Sequence, residues 1–353
     1  MTESVPRRSI RIPRLMRLVH GVQATTTALR EIVEPQHSLL LVHTGARSAT
    51  GYGETLAQAA IAAGMRVAVS TVDGFDQAAV ARVVDAIDAH GPDFVLAAGG
   101  GRVLDVAKLA CSRREIEFLS VPTQLSSDAI CSPIAVIADQ GGVPRSLGAQ
   151  MPAAIIVDME VVRSAPAITW RAGLGDLLSN VSAVQDWRLA HEAHGEPIDD
   201  FACITAEAAA LSVIEDDASL QSEEYREKLI RGLILSGLAM EMAGSSRPAS
   251  GSEHLISHAL DQILAAPHLH GLQVALGTIA ATILRGADHQ RLVALFRRMG
   301  LPVVPADLEI SIDDLLAAVR LGPSTRPGRT TILDSIGQID LDRLRTAYLQ
   351  GIG

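Results

Sequence analysis

The chain has 353 residues, too many for one small domain and enough for two. Hydrophobic residues make up 48% of it and aromatic residues only 3%, so the core must consist mainly of Ala, Val, Leu and Ile, which favours an α/β or helical protein over a β-sandwich. The net charge of −10 argues against nucleic acid and against an anionic membrane surface as partners.

The three cysteines, Cys111, Cys131 and Cys203, lie far apart without CxxC spacing. They predict separate, reduced thiols in a cytoplasmic protein and no disulfide framework. Residues 1–20 carry five arginines and no apolar stretch of signal-peptide length. Because no apolar run approaches the length of a membrane span, we also expect no membrane insertion.

Short apolar runs alternate with helical patterns in the first part of the chain. The predicted strands are residues 12–18, 38–45, 66–72, 93–101 and 117–123. Helical patterns follow the first strand to about residue 33 and then occupy residues 53–64, 76–90 and 102–113. Strands that alternate with helices of this length predict a parallel, Rossmann-like sheet with helices on both faces.

The next part of the chain departs from this alternation. The segment IAVIAD (134–139), a turn at Gly141-Gly142 and the segment AAIIVD (153–158) predict a hairpin and a last strand. Farther on, only Ala- and Leu-rich helical patterns remain. We therefore predict an α/β domain over residues 1–165 and an all-helical domain over residues 166–353, with the active site in the cleft between them. The helical domain could also bury the interface of a homo-oligomer.

Histidines in the helical part indicate a metal site. His254 and His258 are four residues apart and share one face of a helix, and His270 opens the next apolar run. Neutral imidazoles suit zinc, iron or nickel, and a catalytic site usually adds a carboxylate and leaves one position open. The best-placed carboxylate upstream is Asp176, in AGLGDLLSN. The alternative is that these histidines are packed core or surface residues.

A glycine run stands where a predicted strand meets a helix. Glycines at Gly99, Gly100 and Gly101 allow a phosphate to approach backbone N–H groups at the positive end of that helix. The run is not GxGxxG, so a plain turn is the alternative. Asp105 follows in the helix and can contact a cofactor or serve as an acid favoured by the helix dipole.

Two loops carry further polar candidates. The loop VPTQLSSDAICSP (121–133) offers hydroxyl groups for a pyrophosphate or ribose, and Asp128 can accept from a substrate hydroxyl, unless these are ordinary turn-forming residues. The loop GSSRPASGSEH (244–254) places Arg247 just before the histidine helix. Because Arg pairs with phosphate or carboxylate, an anionic substrate is one interpretation and a solvated loop arginine is the other.

Five segments in this order carry a resemblance: GGGRVLDVAK, VPTQLSSDAICSP, AGLGDLLSNVSAVQDWRLA, SSRPASGSEHLISHAL and HGLQVALGTI. They resemble the sn-glycerol-1-phosphate dehydrogenase family, in the superfamily of iron-containing alcohol dehydrogenases, glycerol dehydrogenase and dehydroquinate synthase. The resemblance covers about residues 12–290. The SSRPASGSEH and AVQDW segments favour the glycerol-1-phosphate branch.

The resemblance implies a role for each candidate. The metal ligands would be Asp176, His254 and His270. The nicotinamide cofactor, NAD or NADP, would contact Gly99, Gly100, Gly101, Asp105, Thr123, Ser126 and Ser132. Asp128 and His258 would contact the substrate and serve as the catalytic side chains. We add Arg247 as the contact for a substrate phosphate.

Two departures from the family leave specificity open. The family loop commonly reads His-Asp-Gly where this chain has Ser127-Asp128-Ala129. The turn HTGARSATG (43–51) lacks the acidic residue expected at the adenosine ribose. Both differences lie beside the cofactor and substrate, so the coenzyme preference and the exact substrate stay undecided, whereas the metal triad is intact.

The resemblance implies a metal-dependent, NAD(P)-linked dehydrogenase acting on a small phosphorylated polyol or ketone, with glycerone phosphate and sn-glycerol 1-phosphate as the expected pair. One divalent metal is expected, zinc ahead of iron or nickel. A related dehydrogenase with another substrate and a dehydroquinate-synthase-like cyclase are alternatives. The cyclase would need many cationic side chains for its anionic substrate, and Lys108 and Lys228 are the only lysines. A non-catalytic binding module is the third alternative.

Overall fold

The computed structural model describes residues 10–44 and 51–352. Most of the turn HTGARSATG therefore lies outside the described residues. The N-terminal part alternates strands and helices. Its elements are β1 (Leu15–Val19), α1 (Val22–Leu29), β2 (Ser38–Thr44), α2 (Tyr52–Ala62), β3 (Arg66–Val72), α3 (Gln77–His90), β4 (Phe94–Gly99), α4 (Gly101–Arg114), β5 (Phe118–Pro122), a 3-10 turn (Asp128–Ile130), β6 (Ile134–Ala138), β7 (Pro144–Gly148) and β8 (Ala154–Asp158).

Six of the strands form one sheet in the order β1-β8-β5-β4-β2-β3. Every pairing in this sheet is parallel, which confirms the predicted parallel sheet. The strands β4, β5 and β8 are buried along their whole length, as expected for central strands covered on both faces. Their continuous apolar runs explain why these elements could be recognised from the sequence.

The hairpin predicted after residue 133 is present, and the predicted last strand, AAIIVD (153–158), corresponds to β8. Strands β6 and β7 pair antiparallel, from Ile134 opposite Gly148 to Ala138 opposite Pro144. Asp139 closes the turn by accepting hydrogen bonds from the amides of Gly141 and Val143. The strand β7 reads PRSLG and is half-exposed, so it lacks the apolar pattern that marks the other strands.

The C-terminal part is helical, and no strand occurs between residues 166 and 352. Its helices are α5 (Met159–Ser164), α6 (Ala167–Leu178), α7 (Asn180–His194), α8 (Asp200–Ile214), α9 (Glu223–Ala243), α10 (Ser252–Ile263), α11 (His270–Leu284), α12 (Gln290–Met299), α13 (Ile312–Thr325) and α14 (Gln338–Gln350), with 3-10 turns at Pro305–Leu308 and Ile332–Ser335. This confirms the predicted fold class. The domain boundary near residue 165 stays a prediction.

The ends of the helices determine where the functional loops lie. Asp158 caps α5 by accepting from the amide of Glu160, and Ser222 caps α9 by accepting from the amide of Tyr225. Helix α9 ends at Gly244, whose φ of 66° is a left-handed conformation that glycine adopts without strain. The loop after Gly244 leads directly into the histidine helix α10.

Two further expectations can be compared with the structure. Cys111, Cys131 and Cys203 are buried and unpaired, which confirms the prediction of separate thiols. No helix in the described ranges 10–44 and 51–352 combines the length and the apolarity that crossing a membrane requires.

Candidate active site

Close packing of α6 against α11 brings the first two metal-site candidates together. Asp176 lies in the last turn of α6, and His270 is the first residue of α11. A Cβ atom on Gly175 would lie 2.3 Å from the carbonyl oxygen of Gly271, and one on Gly271 would lie 1.9 Å from that of Ala172. Only glycine fits at these two positions, so the glycines beside Asp176 and His270 allow the helices to approach.

The first turn of α10 adds His254 to this pair. Its Nε2 atom lies 3.5 Å from Oδ1 of Asp176, and Nε2 of His270 lies 3.9 Å from the same oxygen. One ligand atom from each of the three side chains falls within 4.8 Å of the others. Donor atoms bound to one tetrahedral ion are about 3.4 Å apart. The spacing and the donor types of this triad therefore fit a divalent metal ion, as the sequence predicts.

A second set of hydrogen bonds orients the two histidines of the triad. Nδ1 of His254 lies 3.1 Å from Oε1 of Glu253, which is fully buried. Nδ1 of His270 lies 3.1 Å from Oγ of Ser257. Because the Nδ1 atoms are engaged in this way, both imidazoles present Nε2 to Asp176. Partners of this kind fix the tautomer and the orientation of metal-binding histidines.

Glu253 and Ser257 were not among the candidates selected from the sequence. Glu253 is adjacent to His254, and neighbours in a helix do not normally face each other, so spacing gave no indication of the contact. The carboxylate is held in place by Oγ of Ser182, which donates to Oε2 over 2.7 Å, and by the amide of Gly251, which donates to Oε1 over 2.5 Å. These bonds turn Glu253 back toward the histidine.

The electrostatics of the metal-free triad are set by burial and by mutual contact. Burial alone would lower the pKa of His254, but the carboxylates of Asp176 and Glu253 raise it to about 9. Burial and the nearby charge of His254 lower the pKa of His270 to about 4. Burial alone would raise the pKa of Asp176, yet His254 and His270 hold it below its usual value. Near neutral pH and without metal, His254 is therefore cationic, His270 is neutral and Asp176 is ionised.

Two of the three predicted substrate contacts, Asp128 and His258, lie in the same cavity as the triad. Oδ2 of Asp128 accepts from Oγ of Ser236 over 3.0 Å. Burial and the neighbouring Asp176 raise the pKa of Asp128 to about 7. The buried Nδ1 atom of His258 has no hydrogen-bond partner within the residues that the structure describes, and burial lowers the pKa of this imidazole. Oδ2 of Asp261 lies 4.0 Å from this nitrogen, and the imidazole, which is neutral, lines the cavity where a ligand can contact it.

The glycine run lies at the carboxyl edge of the sheet. The chain goes from β2 outward to β3 and then places β4 on the other side of β2. In open parallel sheets, nucleotides bind in the crevice at such a change of direction. The amide of Thr123 donates to the carbonyl of Gly99 over 3.0 Å, and Oγ of Ser126 would lie 3.9 Å from a Cβ on Gly101. The predicted cofactor residues Gly99 through Gly101, Thr123 and Ser126 are therefore neighbours.

Asp105 and Ser132 also line the cavity, but their side chains already have protein partners. The fully buried Nζ atom of Lys108 lies 3.1 Å from Oδ1 of Asp105 and 3.4 Å from Oγ of Ser132. The other oxygen of Asp105 accepts from the amide of Val136 over 3.0 Å. These bonds fasten the loop to α4 and to the hairpin, so the cofactor contacts of Asp105 and Ser132 stay predictions.

Arg247 does not line the cavity. Its Nε atom donates to Glu196 over 2.7 Å, its Nη2 atom donates to the second oxygen of the same carboxylate, and Nη1 donates to the carbonyl of Thr330 over 2.8 Å. Three donors of the side chain are engaged with the protein and hold the loop in place. These contacts do not support the predicted contact with a substrate phosphate. The arginine that lines the cavity is Arg326, which lies beyond the segments that carried the resemblance.

Comparison with known proteins agrees with this geometry. The family described as iron-containing alcohol dehydrogenase matches residues 22–166, which include the glycine run and the loop after β5. A probable glycerol dehydrogenase from Sinorhizobium meliloti has the same fold, with a TM-score of 0.75, 23% identity and 98% of each chain covered.

Two relatives with higher sequence identity show the family to which the chain belongs. A glycerol-1-phosphate dehydrogenase (NAD(P)+) from Thermococcus sibiricus is 39% identical over 275 residues, or 77% of this chain and 78% of the relative. The enzyme of that name from Methanothermobacter thermautotrophicus is 36% identical over 332 residues, or 94% of each chain. The chain belongs to the glycerol-1-phosphate dehydrogenase family, which confirms the resemblance found in the sequence.

Proposed function

We propose that this protein is a metal-dependent, NAD(P)-linked dehydrogenase that interconverts glycerone phosphate and sn-glycerol 1-phosphate. The observation that carries the proposal is the triad Asp176, His254 and His270, which lies in one cavity with Asp128 and His258. The names of the Thermococcus and Methanothermobacter relatives support the substrate and the coenzyme.

Asp176, His254 and His270 would hold the metal ion, and we propose zinc, with iron and nickel as alternatives that suit the same donors. A divalent ion bound there would act as a Lewis acid toward the reacting substrate oxygen. The nicotinamide cofactor would lie against the Gly99–Gly101 turn and the hydroxyl groups of Thr123 and Ser126, at the carboxyl edge of the sheet. A bound NAD(P)H would supply the hydride for reduction of the substrate carbonyl.

Asp128 and His258 would act directly on the substrate. Asp128 is held by Ser236 and can accept a hydrogen bond from a substrate hydroxyl, which orients the carbon chain. His258 lines the cavity as a neutral imidazole, so it can bind the substrate and pass the proton that the reduced oxygen requires.

The test is the oxidation of NADH and of NADPH by zinc-loaded protein, followed by absorbance, with glycerone phosphate beside unphosphorylated glycerone. We expect rapid turnover of the phosphorylated ketone that stops when a chelator removes the metal. Unchanged turnover by the metal-free protein would overturn the metal mechanism. Turnover of neither ketone would overturn the substrate assignment. A cytoplasmic location and a homo-oligomeric state stay predictions.

A further inference from the structure

We propose that Arg326 and Ser246 form the subsite that binds the phosphoryl group of the substrate, an inference that rests on the function proposed above. Arg326 follows the last residue of α13, and Ser246 lies in the loop between α9 and α10. The two residues come from parts of the chain 80 positions apart, yet both line the cavity that contains the metal triad and His258.

The hydrogen bonds around Ser246 leave one donor free for a ligand. Nη1 of Arg326 donates to Oγ of Ser246 over 2.9 Å, and Nη2 of Arg329 donates to the same oxygen over 3.1 Å. A hydroxyl group accepts two hydrogen bonds and donates one. Both acceptor positions of this buried hydroxyl are thus filled, and nothing in residues 10–44 and 51–352 accepts its hydrogen. An anionic oxygen in the cavity would complete its bonding.

Arg326 supplies further donors at the same place. A guanidinium group has five N–H donors, and only Nη1 of Arg326 is engaged within the part of the chain that the structure describes. Arg329 is held more firmly, because its Nη1 atom also donates to the carbonyl of Ser250. Arg329 therefore positions Ser246, whereas Arg326 retains donors for a ligand.

The charge of this cluster favours a phosphate. Arg247 is neutralised by Glu196, but neither Arg326 nor Arg329 has a carboxylate within 4.0 Å among the described residues. Burial and then the charges of Arg326 and Arg247 lower the pKa of Arg329 to about 9. A phosphate monoester carries about −1.5 to −2 charge and three acceptor oxygens, so one such group would offset both cations.

The position of Arg326 also suits a phosphorylated three-carbon substrate. Arg326 and His258 both line the cavity that contains the metal triad. His258 in turn stacks on His270, with ring centroids 5.8 Å apart. The proposed phosphate subsite therefore shares one cavity with His258 and the metal triad, and His258 would contact the carbon chain of the substrate.

The decisive variant is Arg326→Gln, and Arg320→Gln removes the same charge from an exposed position on α13. With glycerone phosphate, we expect the KM of Arg326→Gln to rise at least about tenfold while kcat changes less, because a charged hydrogen-bond donor is lost. The ratio of kcat/KM for glycerone phosphate to kcat/KM for unphosphorylated glycerone should fall, because only the phosphorylated ketone uses the subsite. Arg320→Gln should behave as the wild type. An unchanged KM in folded Arg326→Gln would overturn the inference.

A binding measurement separates this inference from the proposed function. Calorimetric titration of the zinc-loaded protein with inorganic phosphate should show binding that Arg326→Gln weakens at least about tenfold. If the wild type binds phosphate in this way but does not reduce glycerone phosphate, the subsite stands and the proposed function fails. If both proteins bind phosphate equally, the subsite is wrong even where turnover occurs. Arg326→Lys retains the charge and is the variant to use if Arg326→Gln does not fold, with an intermediate loss expected.

Discussion

The backbone amide of Asp128 donates a hydrogen bond of 2.9 Å to Oδ2 of Asp176. This bond joins the loop after β5 to the helix that carries the first member of the triad. Because Oδ2 accepts this bond, the other oxygen, Oδ1, is the one that lies nearest to His254 and His270. One buried carboxylate therefore links the substrate loop to the metal site.

Asp176→Asn tests whether this carboxylate is a metal ligand. Asparagine retains the size of aspartate and an oxygen for the Asp128 amide, but it removes the negative charge. We expect metal affinity to fall by more than the roughly 10- to 100-fold loss that follows removal of an outer partner. Metal content after dialysis measures this, with Asp342→Asn, on α14, as a matched control. Stoichiometric metal in Asp176→Asn would exclude the carboxylate as a ligand.

Much of the sheet could be predicted because its strands bury both faces. β4 is a continuous apolar run that ends in glycine, and such a run has few alternative structures at this length. The HxxxH spacing on α10 also predicted two side chains on one helix face, and both His254 and His258 line the cavity. Local patterns of this kind are properties of neighbouring residues and can be read from the sequence.

The parts that could not be predicted depend on long-range contacts. Arg326 meets Ser246 across 80 residues of chain, and the partner of Arg247 is Glu196, 51 residues away. No sequence periodicity relates residues that are so far apart. Arg247 was predicted as the phosphate contact because its Gly/Ser loop directly precedes the histidine helix. Only the packing of α13 against α10 determines which arginine lines the cavity.

Glu253→Gln tests the hydrogen bond behind His254. The substitution keeps the size of the side chain but removes the charge that orients the imidazole and raises its basicity. We expect metal affinity to fall about 10- to 100-fold. Competition with a chromogenic chelator measures the affinity, and Glu227→Gln, which removes an exposed charge on α9, is the control. Equal affinities in the two variants would show that Glu253 only supports the packing of α10.

Metal binding should release a proton from His254. At about pH 8, Asp128, with a pKa of about 7, is mostly ionised, whereas His254, with a pKa of about 9, is still protonated in the metal-free protein. The metal needs the neutral imidazole, so each binding event should release about one proton, and affinity should rise with pH until His254 deprotonates. Calorimetry in two buffers of different ionisation enthalpy counts the protons. Identical heats in both buffers would contradict this protonation state.

Lys108→Met should destabilise the fold. Nζ of Lys108 donates to the carbonyl oxygens of Ala129 and Ile134 over 3.0 and 2.7 Å and pairs with the buried Asp105. Without the ammonium group, Asp105 keeps a buried charge, and breaking such a pair costs about 3–5 kcal/mol. Urea unfolding at neutral pH measures the loss in the free energy of unfolding.

The double variant Asp105→Asn/Lys108→Met distinguishes an electrostatic loss from a packing loss. Asparagine can still accept from the Val136 amide but carries no charge, so the double variant should be more stable than Lys108→Met alone. Burial already raises the pKa of Asp105. The loss in the free energy of unfolding of Lys108→Met should therefore be largest near neutral pH. It should shrink as the pH falls through this raised pKa, because the carboxylate is then protonated. If the double variant is no more stable than Lys108→Met, lost packing, and not the unpaired charge of Asp105, causes the loss in stability.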